Sequence, residues 1–199
     1  MEPYEIIVAP FEVWLGPVPT TFPYADDVPA GNWKLLGTNG KDNYSEDGIT
    51  LTHEQTINQI RTLGSTGPKK VTRPSENLTI ALILDDLTAE QYAKVLNGVT
   101  LTDVPAASGT PGTRDVLLRQ GLAVTTFCLL CKGVSPYGDG WAMQYQVPIV
   151  YQSANPAPVF NKGDAAGLAL EFTAIEDPAA ATPAESFGKI VAQYADALP

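Results

Sequence analysis

The sequence predicts an antiparallel β domain with one short helix, and three observations support this fold class. Apolar and polar residues alternate with period two in several runs, which is the pattern of half-buried strands. Turn-forming residues separate these runs, since the chain holds 17 Gly and 17 Pro. A single stretch carries helix-capping residues instead. A length of 199 residues is typical of one domain, so we expect residues 1–199 to form a single unit.

The N-terminal part predicts a strand followed by an arm. Residues 6–15 are largely apolar, with an interruption at Pro10. Proline then recurs up to residue 29, and proline favours extended chain without ladder hydrogen bonds. We therefore expect residues 1–32 to form an N-terminal strand and a Pro-rich arm, after which residues 33–36 return to extended structure.

The segment that follows residue 54 is the longest departure from strand alternation. Residues 49–54 alternate as a half-buried strand. Residues 55–75 do not, and they hold four Lys and Arg but no acidic residue. We predict a long inter-strand loop or an extended hairpin, because long ordered excursions from compact domains tend to be functional. A solvated flexible loop is the alternative.

Residues 88–97 carry the signals of the helix. Thr88 is a favourable N-cap, and Gln91 three residues later completes a capping box. Gly98 follows the last helical position, where a left-handed conformation is favoured. We therefore expect one short flanking helix over 88–97.

The rest of the chain alternates strands with turns. Residues 100–114 are rich in Ala, Gly, Pro, Ser and Thr, which predicts a surface loop. The tail over 179–199 predicts a helix or a docking arm. Pro148 lacks a backbone N–H, so its strand is expected to lie at an edge or a bulge there. Further strands are predicted over 77–84, 117–131, 141–151 and 168–175.

The charge balance excludes one class of function. The chain has 12 Lys and Arg against 22 Asp and Glu, a formal net charge of −10. A stable grip on nucleic acid depends on Lys and Arg neutralising phosphates, so we expect no specific DNA binding, although DNA could pass along an acidic surface. No run approaches the roughly 18 apolar residues of a membrane span. The N-terminus lacks the basic stretch of a secretory signal, so we expect synthesis in the cytoplasm and no membrane partner.

Three residues with chemical potential are better explained as structural. Cys128 and Cys131 have the CxxC spacing of redox and zinc sites. Residues three apart in a strand point to opposite faces, so the two sulfurs would not converge. His53 is the only histidine, and it lies on the apolar face of a predicted strand with no nucleophile motif elsewhere. We expect both cysteines to be buried packing residues and His53 to be a packed or an interface histidine.

Two segments have a superficial likeness to ligand sites. Residues 43–54 partly match the spacing of a calcium loop, with Asp47 and Glu54 as charged ligands, but a strand follows where the motif needs a helix. Residues 64–70 lack the spacing of a phosphate loop, and Pro68 removes a donor that such a loop needs. Paired carboxylates flank turns, where solvated acidic residues are ordinary. The sequence therefore predicts no enzyme, no cofactor and no metal site.

The order of elements resembles the major tail tube proteins of long-tailed bacteriophages and related gene-transfer particles. The likeness covers residues 33–98 and 165–194. It is carried by Leu36-Gly-Thr38, Asp47-Gly-Ile-Thr-Leu-Thr52, Gly67-Pro-Lys-Lys-Val-Thr-Arg73, Leu78-Thr-Ile-Ala-Leu82 and the helix after Asp86-Leu-Thr88, and at the end by Leu170-Glu-Phe-Thr-Ala-Ile175 and Phe187-Gly-Lys-Ile-Val191.

This resemblance implies a β-sandwich or half-barrel with a flanking helix, a long inter-strand loop and terminal arms. Subunits of that family form hexameric rings whose inner sheets join around a lumen. The rings stack into a tube around a tape-measure protein, and tail-terminator and tail-tip proteins are further partners. DNA transits the lumen without specific binding. The implied location is the virion tail, assembled in the cytoplasm of a bacterial host.

Two sets of residues receive roles under this interpretation. The basic segment has a natural partner in the acidic surface of a neighbouring copy, so it is expected to stack rings. The polar face of the strand before it is expected to line the lumen. The expected ring-stacking residues are Arg61, Lys69, Lys70 and Arg73, and the expected lumen-facing residues are Thr50, Thr52 and Glu54.

Three alternatives are consistent with the same pattern. One is a monomeric β-sandwich binding module, such as a virion decoration or adhesin domain. The second is a tube subunit of a contractile injection system, whose subunit fold is similar. The third is an enzyme that uses the cysteines or carboxylate pairs, which requires converging titratable groups in a cleft.

Overall fold

A computed structural model describes residues 5–7, 11–163 and 165–196. All strand pairs among these residues are antiparallel, and one α-helix accompanies them, so the predicted fold class is confirmed. The elements are β1 (Glu12–Pro17), β2 (Lys34–Leu35), β3 (Tyr44–Ile60), β4 (Lys70–Leu84), α1 (Ala89–Val95), β5 (Leu101–Val104), β6 (Thr113–Val116), β7 (Thr126–Val134), β8 (Ala142–Gln152), β9 (Leu168–Ala174) and β10 (Lys189–Ala192). No helix in this described part is long and apolar enough to cross a membrane.

Strand β8 joins the two layers of the main sheet. The strand order is β2-β1-β7-β8-β9-β4-β3, and β10 also pairs with β8. Residues 143–146 of β8 pair with β10, whereas residues 150–152 pair with β9. The ladder with β7 shifts register between these parts, at Pro148. Because proline has no N–H to donate, the strand bulges there as predicted, and the sheet folds over into a half-barrel.

One apolar core fills the space between the layers. Strand alternation sends Val13 and Leu15 of β1 into this core and Trp14 to the opposite face. From the other layer, alternate residues of β4 and β9 meet them. Each fully buried side chain of this size stabilises the fold by about 1.5–3 kcal/mol. The largest buried core side chains are Leu36, Ile80, Leu84, Leu129, Leu168 and Phe172.

The Pro-rich arm packs on its own domain. Trp33 packs against Cys128 and Leu130 on the face of β7 that points away from the main core. Phe22 contacts Trp33, with ring centroids 5.2 Å apart. The indole Nε1 of Trp33 donates to the carbonyl of Thr21 at 3.1 Å. The arm therefore covers a second, smaller apolar cluster. The predicted interruption of the first strand at Pro10 lies outside the described residues.

Helix α1 begins where the sequence indicates, but its predicted capping box is wrong. Thr88 is the N-cap, yet its side chain makes no capping hydrogen bond. Gln91 is buried, and its Oε1 accepts the Gly37 N–H at 3.2 Å and the Lys94 ammonium at 3.1 Å. The contact with Gly37 has replaced the predicted contact with the Thr88 backbone. A buried amide side chain needs hydrogen-bond partners, and Gly37 supplies one here.

Asp86 ties the start of α1 to the connection between β2 and β3. Its Oδ2 accepts the Thr38 N–H at 2.9 Å and the Thr38 hydroxyl, and its Oδ1 accepts the Thr88 N–H at 3.0 Å. Burial would raise the pKa of this carboxyl, but the hydrogen bonds from Thr38 and Thr88 outweigh burial and lower it. Asp86 is therefore held as a carboxylate.

Three local predictions are wrong for identifiable reasons. Residues 100–114 were expected to be a loop, but they include β5 and part of β6, which form a separate two-stranded sheet. The strand predicted over 117–131 starts only at Thr126, because the Asn97 side chain takes up the backbone groups of the preceding segment. Of the two forms predicted for the tail, the α-helix is wrong, because residues 189–192 form β10 and dock on β8 as an arm. Residues 197–199 lie outside the described part.

Asp86→Asn should destabilise the protein by about 1–3 kcal/mol at pH 7, since the substitution weakens charge-assisted hydrogen bonds to a buried group. The folded-state pKa is lowered, so this stabilisation is present above the unfolded pKa of about 3.9 and is lost as the pH falls. Urea unfolding at pH 7 and pH 3 should show the difference between variant and wild type shrinking. Asp85→Asn, at an exposed neighbour, is the control. An equal gap at both pH values would contradict this account.

Candidate assembly surfaces

A two-stranded hairpin extends beyond the body of the domain. Strand β9 pairs with β4 only from Thr79 to Leu84, so the preceding part of β4 pairs with β3 alone. We call residues 54–76 the distal hairpin. Its arms span roughly 30 Å at about 3.3 Å per residue. Of the two forms predicted for 55–75, the hairpin is the one observed.

Two of the four basic residues in the distal hairpin shape it internally. Arg61 donates to the carbonyl of Thr66 at 2.7 Å and to Oε1 of Gln59 at 2.9 Å, which closes the tip. Arg73 donates across the strands to Oε1 of Gln55 at 2.8 Å and lies 3.5 Å from Glu76. Since these contacts are exposed, they order the hairpin more than they stabilise the fold.

The other two cations point to solvent together with apolar side chains. Lys69 and Lys70 are exposed, and their ammonium groups have no hydrogen-bond or ion-pair partner among the described residues. Exposed apolar residues of this kind, on an ordered element, are typical of a surface that another molecule covers. The exposed aliphatic side chains of the distal hairpin are Ile57, Ile60, Leu63 and Val71.

The layer formed by β3, β4, β9 and the end of β8 has a polar outer face. Ile49 and Leu51 of β3 pack on the core, so the alternating residues Thr50 and Thr52 lie on the outer face. Cross-strand neighbours extend this face over four strands, and we call it the polar face. No Lys or Arg occurs among its members, which are Thr50, Thr52, Glu54, Asn77, Thr79, Ala81, Tyr151, Glu171 and Thr173.

Hydrogen bonds fix the side chains of the polar face where β9 meets the end of β8. Thr173 donates to Oγ of Ser153 at 2.8 Å. The Ser153 hydroxyl lies 2.8 Å from Oε1 of Glu171 and 3.1 Å from its carbonyl oxygen. This network holds a carboxylate at the surface. The polar face is therefore a weakly acidic sheet surface with ordered side chains at this end.

The half-barrel is open between β3 and β10. Among the residues that the structure describes, each of these strands has a ladder partner on one side only. A cleft of about 470 Å³ lies between β3 and β10. A second cleft of about 520 Å³ lies between β3 and the start of β8, and both clefts contact Tyr145. Unpaired edges attract further strands unless something covers them. The apolar lining of the clefts includes Phe11, Ile49, Leu51, Leu78, Met143, Tyr145, Val147, Phe187 and Ile190.

The residues considered for chemistry do not converge. Cys131 faces the main core and Cys128 the smaller cluster under the arm, as strand geometry predicts. His53 is exposed and lines the 470 Å³ cleft, so it is not packed in the core, and the interface role also expected for it stays a prediction. Residues 44–54 are part of β3, and no group of three potential metal ligands forms among the described residues.

Sequence reasoning missed the residues that line the open side of the half-barrel. These residues include Tyr145 of β8, Phe187 of the segment before β10, and Ile190 of β10. Phe187 and Ile190 belong to a stretch that contributes to the family resemblance, but no spacing in that stretch or around Tyr145 assigns these side chains to a cleft. Only the pairing of the tail with β8 brings them opposite β3, and nothing in the local pattern specifies that pairing.

No protein-family model matches the chain, and neither does any curated protein. Support for a function therefore comes from the distal hairpin, the polar face and the open side of the half-barrel.

Both cysteines should be inert in the folded protein. Burial raises the pKa of Cys131 to about 12 and also raises the pKa of Cys128, so neither is a thiolate at neutral pH. A thiol-reactive dye should label neither until urea unfolds the chain. Thr62→Cys at the exposed hairpin tip should label at once and serves as the control. Rapid labelling of wild type, or an intramolecular disulfide, would contradict the placement of the two sulfurs.

Proposed function

We propose that this protein is a structural subunit of a phage-type tail tube, which self-assembles into stacked hexameric rings and forms the conduit for DNA delivery in the virion tail. The proposal treats the protein as non-enzymatic. Its partners are further copies of itself and the tape-measure, tail-terminator and tail-tip proteins. The single observation that carries the proposal is the distal hairpin, a basic and partly apolar projection on an acidic domain.

The charge distribution supports contact between copies. Residues 55–75 hold four of the 12 basic residues and none of the 22 acidic ones, so the rest of the chain has eight basic against 22 acidic residues. A projection of one sign on a body of the other attracts a second copy and fixes its orientation. Such a contact is heterologous, and heterologous contacts generate rings or open filaments. Lys69 and Lys70 are the cations free to make it.

The polar face supports the expected lumen. Thr50, Thr52 and Glu54 lie on a sheet face that bears no Lys or Arg. Affinity for DNA comes mainly from Lys and Arg side chains that neutralise phosphates and release their counterions. The polar face has no such side chains among its members, so we expect it to bind DNA weakly. The carboxylates of this face would repel the DNA phosphates, and its hydroxyls would make only weak, neutral contacts. DNA would therefore slide along the face without staying bound to it. That is the property a conduit needs.

The open edges support assembly of the sheets. Within the described ranges, strands β3 and β10 both lack a ladder partner on one side, and an exposed edge on a strand as long as β3 is an aggregation hazard for an isolated domain. Ring closure would cover these edges with a neighbouring subunit. The same geometry fits a tube subunit of a contractile injection system, which is an alternative within this class.

The hairpin proposal is tested by electron microscopy and mass determination on the purified protein across a concentration series. Wild type should form rings or hollow tubes of uniform diameter. Deletion of residues 60–70 should leave a folded subunit that no longer forms tubes, because the removed segment contains the tip and both free lysines. Undiminished tube formation by the deletion variant would overturn the stacking role.

A charge reversal separates the role of the two lysines from that of hairpin length. Lys69→Glu/Lys70→Glu should weaken ring stacking strongly, since it puts carboxylates against an acidic neighbour. Lys34→Glu/Lys162→Glu changes the net charge equally at exposed positions outside the hairpin, and should assemble nearly as wild type. Equal loss in both variants would mean that net charge alone controls assembly.

The lumen assignment is tested by labelling assembled tubes. Thr52→Cys should react with a small maleimide but not with one attached to a large polymer, because the polymer cannot enter the tube. Lys162→Cys, at an exposed position, should react with both reagents. Labelling of Thr52→Cys by the large reagent, or burial of Thr52 between sheets in a map of the tube, would refute the assignment.

A monomeric binding module is the second candidate, and the cleft at Tyr145 favours it. A volume of about 470 Å³ is within the range of small-molecule sites, and its walls are largely apolar. A wild-type protein that stays monomeric at high concentration would favour this candidate over the tube subunit.

A further inference from the structure

A loop near the start of β7 presents aliphatic side chains to solvent. We call residues 117–124 the apolar loop. Leu118 is 72% exposed, and Leu122 is fully exposed. Single exposed apolar residues are ordinary, but several within one short loop indicate a contact surface. Arg119 lies among them and has no hydrogen-bond or ion-pair partner in the described part of the chain. The exposed aliphatic residues of the loop are Leu117, Leu118, Leu122 and Val124.

The apolar loop is held open by Asn97. The Nδ2 of this residue donates to the carbonyls of Gln120 and Ala123, each at 2.7 Å, and its Oδ1 accepts the Thr125 N–H at 2.5 Å. Asn97 has a φ of 65°, a left-handed conformation that asparagine tolerates better than most residues. The loop backbone is thus ordered while its aliphatic side chains stay outside. Such preorganisation lowers the entropy cost of binding a partner.

A turn in the arm has matching apolar side chains and the opposite charge. We call residues 24–28 the acidic turn. Tyr24 is 81% and Val28 78% exposed, and they flank the exposed pair Asp26 and Asp27. Tyrosine with neighbouring aliphatic surface is typical of interface anchors.

The acidic turn is also anchored to the sheet. The Asp27 N–H donates to the Tyr24 carbonyl at 3.1 Å, which closes the turn. The buried Gln144 donates through Nε2 to the same carbonyl at 2.9 Å, and the Lys132 ammonium donates to the carbonyl of Asp27. One lysine cannot neutralise the two carboxylates of the turn, so the turn stays net negative.

The two surfaces lie at opposite ends of β7. The apolar loop ends beside Thr126, where β7 begins, and the acidic turn is bound to Lys132 near its other end. Six residues of strand separate these positions by roughly 20 Å. One chain cannot bring its own two surfaces together. Two copies arranged head to tail can.

We propose that the apolar loop of one copy docks on the acidic turn of the next copy, with Arg119 between the carboxylates of Asp26 and Asp27. Charge complementarity and the apolar residues on both sides select a second copy as the occupant. The inference rests on the proposed self-assembly in that its partner is another subunit. It adds a contact in which the distal hairpin takes no part.

The contact is tested by charge exchange, with sedimentation velocity as the readout. Arg119→Glu alone and Asp26→Lys/Asp27→Lys alone should each self-associate at least tenfold more weakly than wild type, since each puts like charges together. Mixing the two variants should restore association in alternation, because each then meets an opposite charge at both ends. Restoration also shows that both variants are folded.

Matched controls remove the effect of net charge. Lys162→Glu and Asp42→Lys/Asp139→Lys change exposed residues outside both surfaces and should associate as wild type does. Association of Arg119→Glu at the wild-type level would overturn the proposed contact. So would a mixture of the two exchanged variants that stays dissociated, or a wild type that is monomeric at every concentration.

Failure of this contact and failure of the tube are distinguishable by electron microscopy of the same samples. Hollow tubes formed equally well by Arg119→Glu would leave the tube proposal in place and overturn the contact. Chains or flat rings of wild type that exchange variants disrupt, without any hollow tube, would support the contact and overturn the tube.

Discussion

The division of β8 between two layers is the constraint on which the rest of the structure depends. One half of this strand pairs with β10 and the other with β9, and the change occurs at Pro148, where no N–H is available for the ladder. The sheet therefore folds over, and in the described part of the chain β3 and β10 each keep one edge without a ladder partner. A closed barrel would have no such edges. Because this one stays open, the self-assembly proposed above would cover the edges of β3 and β10 with strands of a neighbouring copy.

Hydrogen bonds from polar side chains to distant backbone groups, and one close approach at a glycine, decide the local conformations around this frame. Asp86 joins the start of α1 to the connection before β3 through hydrogen bonds to Thr38 and Thr88. Asn97 holds the apolar loop away from the sheet. Gly188 has a φ of 103°, and any Cβ there would overlap the Gln146 carbonyl, so glycine lets the chain enter β10 against β8. In each case the cost of a buried, unpaired polar group or a steric clash selects the local conformation.

Local pattern was sufficient where neighbours along the chain supply the interaction. Alternation predicted the strand over 77–84 and the separation of Cys128 from Cys131, and the missing donor of Pro148 predicted an edge or a bulge. The pattern failed where a distant partner intervened. Gln91 left its predicted cap for Gly37 and Lys94. A two-stranded sheet formed where small and polar residues predicted a loop, because cross-strand pairs such as Asp103 and Arg114 can stabilise strands of weak propensity.

The sequence by itself determined the antiparallel β class, the single helix after Thr88, the polar alternation at Thr50 and Thr52, and the concentration of basic residues between 55 and 75. These properties depend on spacing and charge along the chain. Only the tertiary structure decided that the basic segment is a projecting hairpin, that two of its cations are used internally, and that the tail pairs with β8. It also placed the acidic turn and the apolar loop at opposite ends of β7. Long-range strand pairing controls all of these, and residues far apart in sequence carry no local signal of it.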